Sequence, residues 1–442
     1  MIARLRHWLH RRRHPLRYAH LDALLRTQAM KREDLLARQQ RDLADIIAFA
    51  AAHTPYYAET LTPSLDRGPF NLGALPILRK DNVTQRLDDL LACPTKETLT
   101  HSLFVIASAA KQSRMPPEST NAGSPRPCGP RDDGINQRPP NQNQIGRSQA
   151  KIGHTGGSTG KPLAFWYDDA KHELMRAGMM RSYMLSGWRP GQKILNFWGA
   201  RQDVVPGGVF GAQLGDFIAA EHTISAFEYT EEKLVEWARF IQRYRPVLLQ
   251  GYASVLAEVA RVVIDNRIAM PKTLIGVYST AEVLTDEQRQ RMQQAFGCRV
   301  FNQYGSREIP NIACECSHGR MHVFTDMVFL ESVPLENEDR LLVTSLTNRL
   351  MPMIRYNIGD SGRLLDGACE CGLPFPLMEM DLCRQNDLIR TPAGKTVHPS
   401  YFNRLLYGQT QIRQYQWVQR SLDQLELNLV APPLGSETLA SL

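Results

Sequence analysis

The chain contains no run of about 18 apolar residues, so no stretch of it reads as a helix that crosses a bilayer. It lacks the continuous apolar core and small-residue cleavage site of a secretion signal. Cysteine is sparse, at 8 in 442 residues, and without a secretion signal those thiols are expected to stay reduced. A cytoplasmic protein is the resulting expectation. No nucleic-acid-binding module can be recognised. No lysine follows Lys395. What remains is ordinary: 43% hydrophobic and 22% charged residues suit a globular chain, and the length allows roughly two or three domains.

The stretch that stands out is His154-Thr155-Gly156-Gly157-Ser158-Thr159-Gly160-Lys161-Pro162-Leu163. Glycine lets backbone N–H groups approach an anion closely. Thr155, Ser158 and Thr159 add hydroxyl donors, and Lys161 adds a point charge. That is the donor set of a polyphosphate cradle. It is not a Walker A loop, because Thr155 stands where the first glycine belongs and Pro162 follows the lysine. A Gly/Ser/Thr surface loop is the plain alternative.

The net charge of +7 owes much to Arg4, Arg6, Arg11, Arg12, Arg13 and Arg17, interleaved with Leu5, Trp8, Leu9 and Leu16. This run reads first as a solvated terminal helix. Contact of a basic amphipathic helix with an anionic membrane surface is the lesser alternative. Helical spacing continues through Leu35, Leu43, Ile46, Ile47 and Phe49, until Pro55 biases Thr54 to an extended conformation. Leu75 to Lys80 is a second short extended piece. From about Leu103 to Ile152, prolines at 116, 117, 125, 127, 130, 139 and 140 and the run Asn141 to Gln144 leave little to bury. This segment is expected to be a disordered insertion, and part of it resembles translated repetitive DNA.

Beyond Lys161, strand and helix patterns alternate. Strands are expected at 194–198, 247–252, 274–278 and 299–304, with helices between them. Thr285 and Gln288 form a capping box for a helix ending at Gly297. Such alternation argues an α/β fold with parallel strands. Its ligands bind at the carboxyl ends of the strands, where Ser279 to Glu282 and Gly305 to Glu308 lie.

Two Cys-x-Cys knuckles, Cys314-Glu315-Cys316 and Cys369-Glu370-Cys371, stand with His318 and His322 close to the first. Such donors suit tetrahedral zinc, although the spacing differs from ordinary zinc fingers. A group of reduced structural cysteines is the alternative. Cys93, Cys128, Cys298 and Cys383 stand alone.

Taken together, these pieces resemble the adenylate-forming superfamily of AMP-dependent synthetases and ligases. The branch they resemble is that of phenylacetate–CoA ligase and its relatives in capsule polysaccharide biosynthesis. Thr155 to Leu163 resembles its phosphate loop, and Tyr304-Gly305-Ser306-Arg307-Glu308 its Tyr-Gly-x-Thr-Glu motif. Arg355-Tyr356-Asn357-Ile358-Gly359-Asp360 resembles its Tyr-Arg-x-Gly-Asp motif. Arg384-Gln385-Asn386-Asp387, with Gly394, resembles its hinge. His53 to Tyr57 and Leu75 to Lys80 resemble features of the branch's N-terminal part.

The resemblance implies a large N-terminal adenylate-forming domain of mixed sheets and helices, followed by a small α+β domain. The boundaries expected are 1–102 for an N-terminal helical part, 103–152 for the insertion, 153–383 for the nucleotide-binding part and 384–442 for a partial C-terminal domain. It implies activation of a small carboxylic acid, aryl acids among the candidates, to acyl-AMP, then transfer to a thiol such as CoA, with ATP/AMP, Mg²⁺ and CoA as cofactors. Ser158, Thr159 and Lys161 would hold the β- and γ-phosphates, in a nucleotide-binding stretch that also includes Thr155, Gly156, Gly157 and Gly160, and Lys161, Thr159 and Glu308 would be the catalytic residues. Tyr304 would stack on adenine with Thr280 and Ala281 lining the base pocket, and Glu282, Asn302, Gly305 and Ser306 would also belong to the nucleotide-binding set. Glu308 would bind Mg²⁺, and Asp360 and Arg384 would serve the ribose. Mapping by the Glu-Cys pair gives Cys316, His322, Cys369 and Cys371 as ligands of a structural Zn²⁺, with Cys314 as competitor. The partners implied are the acid substrate and no nucleic acid.

Three departures stand against the pattern. Arg307 replaces a threonine, and Asn386 stands where an acid is common. The catalytic lysine of the C-terminal domain has no counterpart after Lys395. A catalytically impaired nucleotide-binding remnant is therefore the second reading. Plainer readings of single motifs also stand: Asp360 could be a turn residue and Glu308 a surface-loop acid.

Overall fold

The structure, a computed structural model, describes residues 1–61, 71–92, 150–155, 163–198, 218, 220–226, 229–335, 338–384, 389–392, 396–397, 411–412 and 414–432. The expected insertion up to residue 149, the loop residues Gly156 to Pro162, the hinge residues Gln385 to Asp387 and Gly394 lie outside the described residues. So do Cys93, Cys128, Gly199 and the side chains of Cys383 and Arg384.

The N-terminal part is helical, as its spacing predicts: α1 (Ile2–Arg13), α2 (Pro15–Gln28), α3 (Arg32–His53), α4 (Pro55–Thr60) and α5 (Lys80–Gln85). Helix α3 buries Leu35, Leu43, Ile46, Ile47 and Phe49 on one face. It stops at Thr54, which is extended at φ −122° and ψ 134° ahead of Pro55. The Thr54 hydroxyl oxygen then accepts the Tyr57 N–H at 3.3 Å and caps α4.

A hairpin of β1 (Lys151–His154) and β2 (Ala164–Tyr167) follows, paired antiparallel from Lys151↔Tyr167 to His154↔Ala164. Strand β1 thus takes up Lys151 and Ile152, the last residues assigned to the insertion. After helix α6 (Asp169–Met184) come β3 (Ile194–Trp198), β4 (Glu221–Ser225), α7 (Glu231–Tyr244), β5 (Leu248–Tyr252), α8 (Ala253–Asp265), β6 (Gly276–Thr280), α9 (Asp286–Phe296) and β7 (Arg299–Tyr304). Strand β6 begins later than its apolar pattern suggests, because Leu274 N–H closes a turn onto Pro271 O at 3.0 Å. The capping box of Thr285 and Gln288 is formed, and α9 stops at Gly297 with φ 64°.

The remaining strands are β8 (Ala313–Glu315), β9 (Met321–Val323), β10 (Val328–Leu335), β11 (Glu338–Ser345), β12 (Tyr356–Leu365), β13 (Leu377–Arg384), β14 (Ile389–Arg390), β15 (Thr396–Val397), β16 (Gln414–Ser421) and β17 (Gln424–Val430). One 11-stranded sheet runs β10-β11-β12-β13-β9-β8-β7-β6-β5-β3-β4. Strands β4, β3, β5, β6 and β7 are parallel, and β8 and β9 turn antiparallel. Fold class is therefore mixed α/β.

Strands β3, β5, β6 and β7 bury both faces for most of their length, as βαβ crossovers require. Alternate residues Leu249, Val277 and Val300 join a core with Trp237 and Ile241 of α7, Leu256 and Val259 of α8, and Met292 of α9. The intervening residues face α6: Tyr278 OH donates to Ser182 O at 2.5 Å, and Tyr183 OH donates to Gln250. Behind α6, Arg181 pairs with Asp326 at 2.5 Å, its guanidinium 4.1 Å from the Phe324 ring centroid. Thr27 of α2 donates to the same carboxylate. Both charges are buried, so removing either alone would strand the other.

Two compact units result. The first comprises Met1–Glu331, Leu342–Ile358 and Leu364–Met378; the second comprises Ser332–Leu341, Gly359–Arg363 and Glu379–Leu442. Within the second, Ser332 donates to Gly362 O at 2.9 Å and Arg340 to Ser361 Oγ at 2.8 Å. Its β16–β17 hairpin aligns Tyr415 with Leu429, Trp417 with Leu427 and Gln419 with Leu425.

Helices α1, α2 and α6 enclose several imidazoles. His10 Nδ1 lies 2.9 Å from Tyr18 OH, and Arg17 pairs with Glu173 of α6 at 2.8 Å. Burial lowers His10 and His20 to about 4, with Arg17 adding to the effect at His10 and Glu173 opposing it at His20. Between pH 6.5 and 4 the unfolded chain therefore binds more protons than the folded one at these sites, and stability falls as the pH drops. Urea midpoints should be level above pH 6.5 and decline toward pH 4. The His10→Gln/His20→Gln variant should decline less steeply over that window; an unchanged slope would contradict the burial argument.

Candidate functional site

Strands β5, β6 and β7 run in register, with Tyr252 beside Thr280 and Thr280 beside Gln303. Their carboxyl ends therefore finish together, and the loops that follow share one rim. After β6 the chain turns sharply at Ala281, whose φ of 68° is uncommon for a residue with a Cβ. The next residue, Glu282, accepts the Ser254 N–H at 2.8 Å, placing a carboxylate at the start of α8. At the end of β3, Trp198 stacks on Tyr252 with centroids 4.7 Å apart and planes 16° apart.

The loop after β7 is held tightly. Ser306 N–H donates to Ile309 O at 3.0 Å, and the Ser306 hydroxyl oxygen accepts the Ile309 N–H at 3.0 Å. A Cβ on Gly305 would sit 2.8 Å from Asn311 N, so only glycine fits there. Tyr304 is buried. Glu308 is buried too, and its Oε1 accepts from Tyr356 OH at 3.1 Å. A buried carboxylate that meets a neutral hydroxyl donor is a natural cation ligand.

Arg307, the departure in this motif, donates from Nη1 to His154 O at 3.1 Å. His154 ends β1, at the base of the Gly-rich turn. That base is closed by Thr155 N–H to Leu163 O at 2.9 Å and Leu163 N–H to the Thr155 hydroxyl at 2.9 Å. The Thr155 hydroxyl oxygen thus serves the loop's own base. The turn itself, with Gly156, Gly157, Ser158, Thr159, Gly160 and Lys161, lies outside the described residues. Its two ends are described, and they hang beside the Glu308 loop.

Tyr356 owes its position to the N-terminal part. Leu78 bridges Tyr356 in parallel, with Leu78 N–H to Arg355 O at 3.1 Å and Asn357 N–H to Leu78 O at 2.9 Å. Arg355, at φ 47°, pairs with Glu331 at 3.0 Å and donates to Leu75 O at 2.6 Å. Tyr57 OH accepts the Ile354 N–H at 3.0 Å and donates to Pro352 O at 3.2 Å. The two N-terminal pieces singled out in the sequence therefore brace the strand that supports Glu308. Asp360 is buried further along β12 and belongs to the second unit. Arg384 ends β13, and its side chain is outside the described residues.

The cysteines converge as well. One donor atom from each of Cys316, His322, Cys369 and Cys371 lies within 4.8 Å of the others. Cys316 Sγ and Cys369 Sγ are 3.7 Å apart, and Cys371 Sγ is 3.3 Å from His322 Nε2. Thiolates on one tetrahedral zinc, with bonds of about 2.3 Å, lie about 3.8 Å apart, so the donors fit the ion. His322 Nδ1 lies 3.2 Å from Phe375 O, which leaves Nε2 to face the thiols. Burial opposes ionisation of Cys369, but hydrogen bonds from Cys371 and Cys316 hold that thiol below its ordinary value.

Cys314, named as a competing ligand, is not part of this group. Its thiol is buried against Ser182 of α6, where desolvation raises its pKa. His318 is exposed, and its backbone N–H donates to Cys316 Sγ at 3.3 Å. The middle residue of the first knuckle has a separate task. Glu315 receives two bonds from Arg289, at 2.9 and 3.1 Å, and the Asn302 N–H at 2.6 Å. The sequence reading missed Glu315 and the Tyr356 hydroxyl, since neither role follows from spacing along the chain.

No protein-family model matches the chain. It is similar to Protein CapK of Staphylococcus aureus, 28% identical over 215 residues, which are 47% of each chain. It is similar to phenylacetate-coenzyme A ligase of Thermus thermophilus, 28% identical over 318 residues, covering 66% of this chain and 69% of the relative. The matched region thus spans about half the length of CapK. Among solved structures, 2-hydroxyisobutyryl-CoA ligase in the postadenylation state, in complex with R3-HIB-AMP, superposes with a TM-score of 0.64. That likeness covers 94% of this chain and 83% of the other at 15% identity, and so concerns the fold. The shared fold, the shared sequence and the order of motifs along it agree in supporting the adenylate-forming superfamily, in its phenylacetate–CoA ligase-like branch, as what this chain resembles.

Proposed function

We propose that the chain activates a small carboxylic acid with ATP and passes the acyl group to a thiol, with CoA the favoured acceptor. The observation that carries this reading is the bond from Arg307 to His154 O, which ties the base of the Gly-rich turn to the loop bearing buried Glu308. A polyphosphate cradle and a cation-binding carboxylate would then serve one ligand. In the first step a carboxylate oxygen attacks the α-phosphorus, the bond to the β-phosphate oxygen breaks, and pyrophosphate leaves. In the second, a thiolate attacks the acyl carbon, and AMP leaves with the carbon–oxygen bond's electrons.

In such transfers the protein's task is to position the reactants and neutralise charge. Backbone N–H groups of the turn, with Ser158, Thr159 and Lys161, would hold the departing phosphates. Glu308, kept in place by Tyr356, would hold Mg²⁺, which when bound neutralises phosphate charge. Thr280, Ala281 and Tyr304 would face the adenine, with Glu282, Asn302, Gly305 and Ser306 shaping that rim. Asp360 and Arg384 would take the ribose hydroxyls. The Trp198–Tyr252 stack at the same strand ends supports a flat or aryl acid.

The donor set of Cys316, His322, Cys369 and Cys371 supports a closed zinc site with a structural role, since four protein ligands leave no open position. It would join the β8–β9 turn to the segment following β12.

ATP–pyrophosphate exchange across a panel of aryl and short aliphatic acids tests the activity. Exchange is expected with at least one acid, and Glu308→Gln should lower it by about a hundredfold or more. Retained ATP binding with no exchange for any acid would instead favour the impaired nucleotide-binding reading. Metal analysis of the purified protein should find about one zinc per chain. Cys369→Ser or His322→Ala should lose it, and Cys314→Ser should keep it; loss in Cys314→Ser alone would overturn the assigned ligands.

A further inference from the structure

Helix α1 is bound to the protein along one side only. Its inner side carries His10, which meets Tyr18, and its backbone near Ala3 and His7 lies so close to Gly191 that a Cβ there would be 2.2 Å from Ala3 O. Positions three, four and seven apart on a helix share a face. On α1 that outer face is Leu5, Trp8 and Arg12, continued by Met1 before the first turn. Leu5 is 52% exposed and Trp8 49%, and Ile2 beside them is 59% exposed. The other large apolar residues left exposed among the described residues are scattered along the sequence. Arg4, Arg11, Arg12 and Arg13 are exposed around this group, and the Arg12 guanidinium lies 4.0 Å from the Trp8 ring centroid.

We infer that the outer face of α1 docks on an anionic lipid surface, with Leu5 and Trp8 entering the headgroup layer and the arginines engaging lipid phosphates. A solvated terminal helix would turn charge outward and its apolar residues inward; here large apolar side chains point outward. The combination is that of an interfacial helix, with a tryptophan and aliphatic residues at the centre and guanidinium groups at the margin. Twelve residues make a rod about 18 Å long, which lies flat and does not cross the bilayer. No described helix is long and apolar enough to cross a membrane. Nucleic acid would reward the arginines but would leave Leu5 and Ile2 against water, so charge and apolarity together favour lipid.

Sedimentation of the full chain with vesicles tests the docking. Binding is expected to vesicles of phosphatidylcholine with about a third phosphatidylglycerol, to be weak on phosphatidylcholine alone, and to fall with added salt. Leu5→Ser/Trp8→Ser should weaken it about tenfold or more. Arg4→Gln/Arg12→Gln/Arg13→Gln should weaken it roughly fivefold for each charge removed. Ile275→Ser, a lone exposed residue elsewhere, should change nothing. All these positions are exposed, and thermal melting should show the variants folded. Absent vesicle binding at low salt would overturn the proposal. So would binding that survives Leu5→Ser/Trp8→Ser undiminished, or retention by heparin or DNA without retention by vesicles.

Discussion

The register of the parallel strands governs everything downstream of it. Because β5, β6 and β7 start level, they end level, and Tyr252, Thr280 and Gln303 stand side by side. A slip of one residue in β6 would turn Val277 out of the core and Tyr278 away from α6. It would also carry Ala281 and Glu282 off the shared rim. The buried residues that fix the register, Leu249, Val277 and Val300 on one face and Gln250 and Tyr278 on the other, are thus what align the site.

Second to the register is the bracing of Glu308. Its support passes from Tyr356 to Arg355, and from Arg355 to Leu75 and Glu331, with Tyr57 holding the preceding turn. These contacts join residues nearly 300 positions apart in the chain, as in the bond of Tyr57 to Pro352. The N-terminal helices are therefore part of the scaffold of the site. Arg307 adds a link that a threonine could not reach across: its long side chain spans from the Glu308 loop to the base of the Gly-rich turn.

Much of this was legible in the sequence. Short apolar runs and helical spacing disclosed β3, β5, β7 and the helices between them, and Thr285, Gln288 and Gly297 marked both ends of α9. The order of motifs disclosed the family resemblance. Strand β6 was misplaced because Leu274 and Ile275, apolar but spent on a turn, look like strand residues. The metal ligands were named on resemblance, but only packing removes Cys314: its thiol meets α6, which no spacing discloses. Which side of α1 is covered was not legible for a related reason: it depends on Tyr18 and Gly191, residues outside that helix. Glu315 was hidden by its neighbours, since a Cys-x-Cys knuckle draws attention to its sulfurs.

The account turns on whether the Gly-rich turn and Glu308 serve one nucleotide. The direct measurement is a crystal structure of the full chain with a non-hydrolysable ATP analogue and Mg²⁺. It should place the triphosphate between residues 155 and 163, with the metal ion on the Glu308 carboxylate and adenine beside Tyr304. A nucleotide bound elsewhere, or a metal ion that ignores Glu308 while the turn grips the phosphates, would contradict it.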